Sequence, residues 1–246
     1  MIPLNITKII YLIYFISKSS WASPLLSEFS VDTRKELSKT KTMLTSGKKG
    51  DFRFYRAEFK RDFDLNISQA TKIALNYKLR CNNDFRKLRT LTPKDYSCPY
   101  PSKSIIENQV IPSSTQLESD KNEVQRFLVQ TRMKNRGYHS HVDLVRLFRI
   151  SSENYYSTQE MLTDEEAKKY IKNPLTRQSV FKKARVVFTF KKLKPNKTQI
   201  HYRYTSITDH WLLNKSLLTS QVFNSIENSI GRVLKTIEEE AEKVKN

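Results

Sequence analysis

The C-terminal segment repeats an apolar residue at steps of three and four: Leu218, Val222, Ile226, Ile230, Val233, Ile237, Ala241 and Val244. That spacing is one face of an α-helix. Phe223 and Leu234 widen the stripe to the breadth of a core-facing helix, while Asn224, Glu227, Arg232, Lys235 and Glu239 make the other face polar. The pattern predicts one long helix from Asp209 to the C-terminus. A coiled-coil seam alternates threes and fours more strictly, so the stripe is expected to pack on the chain's own sheet. The preceding residues supply that sheet. Residues 180–191 put Val180, Ala184, Val186, Phe188 and Phe190 on one face, and residues 198–208 do the same with Ile200, Tyr202 and Tyr204. Lys194-Pro195-Asn196-Lys197 joins them, with Pro and Asn at the two central positions of a tight turn.

Upstream, residues 51–62 read as a strand with two partly apolar faces. Asn66 with Gln69 three residues on is a capping box that opens a helix carrying Ile67, Ala70, Ile73, Ala74 and Tyr77. A second short helix is expected over 84–91, ended by Thr92-Pro93. Strands follow over 105–111, 123–134, 141–150 and 155–162. Thr163-Asp164-Glu165-Glu166 starts a short helix with acids at its positive end, read either as a lid or as a plain surface crossover. Residues 23–50 are polar and are expected to form a leader outside the domain. Within them, 33–44 reads as a short helix and 46–50 as a connector.

The first 22 residues have the form of a secretory signal: Lys8, the apolar run 9–17, then Ser20 and Ala22 at the −3 and −1 positions of a cleavage site. Lys18 ends the apolar run well short of the roughly 20 residues of a spanning helix; an uncleaved anchor is the other reading. The mature chain is expected to be exported, periplasmic or secreted. An oxidising compartment allows Cys81 and Cys98 to pair. The chain has 44 Lys and Arg against 25 Asp and Glu, a net charge of +19. That excess favours anionic partners. An anionic membrane surface or an acidic envelope polymer fits an exported protein, whereas nucleic acid does not. The basic residues are spread along the chain, so a simply solvated lysine-rich surface is the alternative.

The order strand, helix pair, antiparallel strands and long terminal helix resembles the helix-grip fold of the START-like (SRPBCC) superfamily over residues 51–246. The fold class implied is α+β, a curved antiparallel sheet gripping the C-terminal helix. The Cys81–Cys98 loop, the insertion near Asp164, and Phe85 where members often carry a Trp are departures. The resemblance implies a cavity between sheet and helix for a lipid or other apolar or amphipathic ligand, held by a monomer. Phe127, Val129, Phe188, Tyr202, Tyr204, Val222 and Ile226 are the candidate lining residues; ordinary core packing is their other role. Some members are enzymes, such as polyketide cyclases. That activity would need polar groups such as His201, Tyr202 and Arg203 to converge inside.

The sequence offers little other chemistry. It has no nucleophile elbow, P-loop or dinucleotide fingerprint, and its four glycines leave few backbone cradles for phosphate. No cofactor is expected and an enzyme is the weaker expectation. His139 and His141 share one side of an extended chain, with Asp143 beyond them. A zinc site needs three or four ligands, so no metal site is assigned. His201 and His210 read as structural or surface residues. The expected outcome for the cysteines is a disulfide: alkylation without reductant leaves the mass unchanged, and Cys98→Ser costs about 3 kcal/mol of stability by loop-closure entropy. Alkylation of both thiols in oxidised protein contradicts the pairing.

Overall fold

Strand pairing decides the architecture. The structure, a computed structural model, describes residues 27–37, 40–77, 80–81, 100–101, 105–112, 122–134, 138–168, 181–210, 213, 215 and 218–245. The strands are β1 (Ser30–Leu37), β2 (Thr42–Lys49), β3 (Phe52–Phe63), β4 (Arg80–Cys81), β5 (Tyr100–Pro101), β6 (Ile105–Pro112), β7 (Glu123–Lys134), β8 (Tyr138–Ser151), β9 (Asn154–Met161), β10 (Lys183–Lys194) and β11 (Lys197–Thr208). The helices are α1 (Ile67–Ala74), α2 (Asp164–Lys168) and α3 (Thr219–Lys245). Nine strands form one sheet in the order β1-β2-β3-β11-β10-β9-β8-β7-β6, and every pairing in it is antiparallel. β6 to β11 run as a meander, and β11 returns to lie beside β3. The strand order and the terminal helix make this a START-like, helix-grip fold.

The period of two sends alternate residues to opposite faces. One cross-strand row on the inner face reads Leu44, Ala57, Tyr204, Val186, Gln159, Val145 and Phe127. The next reads Phe59, Tyr202, Phe188, Ser157 and Leu147. These apolar residues form one buried cluster with Ile73, Ala74 and Tyr77 at α1 and with the α3 stripe from Val222 to Ala241. The rings interlock: Phe59 stacks on Tyr202 at 5.1 Å, Phe188 meets Tyr202 edge-on at 5.0 Å, and Tyr55 meets Phe223 at 6.0 Å. Ile230 and Ile237 are almost fully buried, each contributing about 1.5–3 kcal/mol relative to exposure. α1 opens with the expected capping box: Gln69 N–H donates to Asn66 Oδ1 at 2.9 Å, and Asn66 N–H to Gln69 Oε1 at 3.1 Å.

Two expectations are corrected, and a choice between two readings is narrowed. Residues 23–50 are no leader over their described part, because β1 and β2 extend the sheet past β3. The described residues of the helix expected at 33–44, and those of the connector expected at 46–50, lie on these strands and their turns. β1 is an edge strand, so its polar side chains are solvated. β2 buries Thr42, Thr45 and Ser46 rather than a run of large apolar residues. Arg53 Nη1 fastens the two to β3, 2.6 Å from Asp32 Oδ2 and 3.2 Å from Ser46 Oγ. Second, α3 begins at Thr219 instead of Asp209. Turns occupy part of the gap, and Tyr55 Oη donates to the Leu213 carbonyl at 2.6 Å. For α2, read either as a lid or as a plain surface crossover, the described residues fit the crossover. Its Ala167 packs on Leu128 and Val142, on the outer face of β7 and β8. The helix expected at 84–91 and the signal at 1–22 lie outside the described residues.

Two glycines give opposite expectations. A Cβ on Gly47 would collide with the Ser30 carbonyl and the Phe54 ring, so Gly47→Ala is expected to cost roughly 1–3 kcal/mol as overpacking does. A Cβ on Gly231 in α3 meets nothing within 4 Å, and Gly231→Ala should stabilise by about 0.5–1 kcal/mol through helix propensity. Urea denaturation of both variants checks the pair; a neutral Gly47→Ala contradicts the tight β1–β2 approach.

Candidate ligand-binding face

The inner face of the sheet is divided into two chemistries. Towards the β10–β11 turn it is aromatic and apolar, with Phe59, Tyr202, Phe188, Phe190 and Ile200 buried together. Towards the start of β8 it becomes polar. His141 and Asp143, two residues apart on β8, share that face. Val145, next in the same alternation, stands opposite Gln159 of β9. Just past α1, Tyr77 brings its ring to 6.0 Å from Phe127.

These side chains form a chain of hydrogen bonds. Tyr77 Oη donates to Gln159 Oε1 at 2.8 Å, and Gln159 Nε2 donates to Asp143 Oδ2 at 2.7 Å. His141 Nε2 lies 3.3 Å from the same carboxylate oxygen. Asp143 is 3 % exposed, so its charge relies on these partners rather than on water. Burial alone would push the His141 imidazole down; the Asp143 charge and hydrogen bond outweigh it, and the pKa sits above its ordinary value. Tyr204 borders the network. Burial raises its phenol to about 12, the Ser206 hydroxyl opposes that rise, and the Asp143 charge adds to it. Tyr204 therefore remains a neutral hydrogen-bond donor at physiological pH. Ser157, 1 % exposed in the neighbouring row, buries a hydroxyl that has no hydrogen-bond partner among the described residues. Such an orphan costs about 1–3 kcal/mol.

The face therefore offers a bulky apolar bed beside a recessed set of donors and one carboxylate. An imidazole beside a buried carboxylate is an arrangement suited to general acid–base chemistry. Among the described residues no three His, Cys, Asp or Glu side chains stand together as a metal site.

The structure brings all seven candidate lining residues together. Phe127, Val129, Phe188, Tyr202, Val222 and Ile226 belong to one buried cluster, and Tyr204 packs against it. The proposed catalytic trio does not converge. Tyr202 faces inward, while His201 and Arg203, its neighbours in an alternating strand, face outward. Arg203 Nε pairs there with Glu58 Oε2 at 3.0 Å. Burial and the Arg203 charge push the His201 imidazole down. Cys98 lies outside the described residues. Cys81 stands on β4, paired with Pro101 of β5. The His139 side chain lies outside the described residues as well. Sequence reasoning noticed His141 and Asp143 only as an incomplete metal set and missed Gln159 and the role of Tyr77. The alternation His141-Val142-Asp143 on a strand was the available signal.

No family model matches the sequence, and no curated protein matches it. Among solved structures, the chain is similar to human STARD10, with 11 % identity and a TM-score of 0.47 over 96 % of this chain and 81 % of that one. It is also similar to the human StarD13 lipid transfer and protein localization domain, with 10 % identity and a TM-score of 0.44 over 94 % and 95 % of the two chains. A third likeness is the Zhui aromatase/cyclase of Streptomyces sp. R1128, with 10 % identity and a TM-score of 0.43 over 78 % and 96 %. These are likenesses of overall shape; the strand order and α3 carry the fold assignment.

The His141–Asp143 pair fixes a pH signature. A folded imidazole pKa above its unfolded value of 6.5 means that the pair's contribution is full below about pH 6.5 and is lost as pH rises through the folded pKa. Removing this imidazole by His141→Gln should flatten that part of the stability–pH curve. Thermal unfolding from about pH 5 to pH 9 checks it. An unchanged curve in the variant contradicts the pairing.

Proposed function

We propose that this protein is a binding module for an amphipathic small ligand. The apolar body lies along the aromatic half of the inner face, beneath α3, and the polar head reaches the Tyr204 and His141–Asp143 end. The observation that carries this reading is the buried network Tyr77–Gln159–Asp143–His141 beside an apolar cluster on one face. An apolar core needs no such network, and the separation of chemistries along the face matches a molecule with two unlike ends. The orphaned Ser157 hydroxyl adds a polar group for a ligand to satisfy. The signal-like pattern of residues 1–22 supports a secreted or periplasmic carrier, in which Cys81 and Cys98 would pair, and we take it to act as a monomer. The positive charge supports loading or delivery at an anionic membrane.

One observation favours a second reading, catalysis. An imidazole held beside a buried carboxylate is a general acid–base pair, and it takes the place of the trio that failed to converge. Under that reading the protein changes its bound molecule, as a cyclase or a hydrolytic enzyme does, instead of releasing it intact.

Native mass spectrometry of protein purified without detergent, followed by solvent extraction, tests the binding reading. Wild type is expected to carry a small amphipathic molecule that denaturation releases. Asp143→Asn is expected to retain it about tenfold less well, as the loss of a hydrogen bond to a charged group implies. Protein that is empty when purified and takes up no amphipathic probe overturns binding. A probe recovered chemically altered favours catalysis. Intact mass of the exported protein beginning after Ala22 supports the signal.

A further inference from the structure

One pole of the sheet places exposed apolar side chains at strand ends beside its hairpin turns, two of them next to cations. Ile150 stands where β8 enters its turn to β9, Leu193 where β10 enters its turn to β11, and Val124 at the start of β7. They are 44 %, 39 % and 53 % exposed. Backbone pairing sets these turns side by side. Arg149 N–H donates to the Asn122 carbonyl at 2.8 Å, and Lys192 N–H to the Glu153 carbonyl at 2.8 Å. The C-terminal end of α3 reaches the same pole, because Glu238 meets Arg61 near the end of β3 at 2.5 Å.

The charge on the two hairpin turns is mostly positive, while Glu238 of α3 pairs with Arg61 beside them. Arg149, Lys191, Lys192, Lys194 and Lys197 stand on or beside the turns. The carboxylates that answer are Glu153, 3.9 Å from Lys192, and Asp62, 3.5 Å from Lys197. Both are loose surface pairs that salt screens readily. A single exposed Leu or Ile needs no explanation. Two apolar tips on neighbouring hairpin turns, Ile150 beside Arg149 and Leu193 between Lys192 and Lys194, have the composition of a surface that inserts between lipid headgroups.

We propose that this rim docks on an anionic phospholipid bilayer. Headgroup phosphates meet the lysines and Arg149, and Ile150, Leu193 and Val124 enter the headgroup–acyl boundary. The shape of the rim favours a bilayer over a protein partner. Its apolar groups are separate, partly exposed residues at the end of a sheet. A protein interface requires a continuous, closely packed core, whereas acyl chains rearrange around isolated points. The docking is independent of what the inner face binds.

Cosedimentation of the purified chain with phosphatidylcholine vesicles, with and without about 30 % phosphatidylserine, tests the rim. Wild type is expected to bind the anionic vesicles and to release them as salt rises. Lys191→Glu with Lys194→Glu should weaken binding by at least about tenfold, as the loss of several surface cations implies. Ile150→Ser with Leu193→Ser should weaken it at constant charge. Phe52→Ser, at the β2–β3 turn of the opposite pole, should leave it unchanged. The proposal is overturned if folded wild type ignores anionic vesicles or if both rim variants bind as wild type does. It is also overturned if soluble polyglutamate competes as well as the vesicles do, which assigns the rim to acidic polymers. Ligand content of the same preparations, read by native mass spectrometry, separates this outcome from failure of the binding reading.

Discussion

The Asp143 carboxylate, 3 % exposed, is the interaction on which the inner face depends. Taking an unpaired carboxylate out of water costs several kcal/mol, so its partners must be delivered accurately. The β8–β9 register delivers Gln159, the period of two delivers His141, and the end of α1 delivers Tyr77, whose hydroxyl fixes the Gln159 amide. Gln159 and His141 thus meet one oxygen atom of Asp143, and Tyr77 holds the Gln159 amide in place. An apolar residue of similar volume would fill the site without these demands, and that is the physical ground for reading the network as functional.

The same face shows how the fold separates two tasks. α3 and the aromatic rows of β3, β11 and β10 form the apolar cluster, closed by ring contacts such as Tyr55–Phe223. The polar network lies on β8 and β9, several strands away from β3. The outer face is held differently. Arg185 and Arg146 share the Glu160 carboxylate at 3.2 and 3.5 Å, and Arg203 pairs with Glu58. Like charges on that face are interleaved with acids, while the rim at the β8–β9 and β10–β11 turns carries the less balanced positive charge.

Elements that announce themselves by period or cap were legible in the sequence. The α3 stripe, the β10–β11 hairpin and the Asn66 capping box each depend on residues close together in the chain, and each was found in the structure. The start of α3 was misplaced because the residues after Asp209 continue the polar and apolar mixture without a clear break. β1 and β2 were unreadable for another reason. An edge strand is solvated, its neighbour buries small hydroxyl residues, and the buried Arg53 that ties them to Asp32 looks like any surface arginine. The network was hidden because Tyr77, His141 and Gln159 are far apart in sequence. The enzyme reading required His201 and Arg203 to join Tyr202 inside, and the strand period sends them to the other face.

Whether the network serves a ligand or only the fold can be decided by replacing all of it at once. A variant carrying Tyr77→Phe, His141→Leu, Asp143→Leu and Gln159→Leu removes every charge and every buried polar side chain of the network together. Its denaturant stability and its uptake of an amphipathic probe should be measured on the same preparation. A network kept for binding predicts a protein as stable as wild type, or more stable, that no longer holds the probe. A large loss of stability with the probe still held would contradict it and make Asp143 a structural residue.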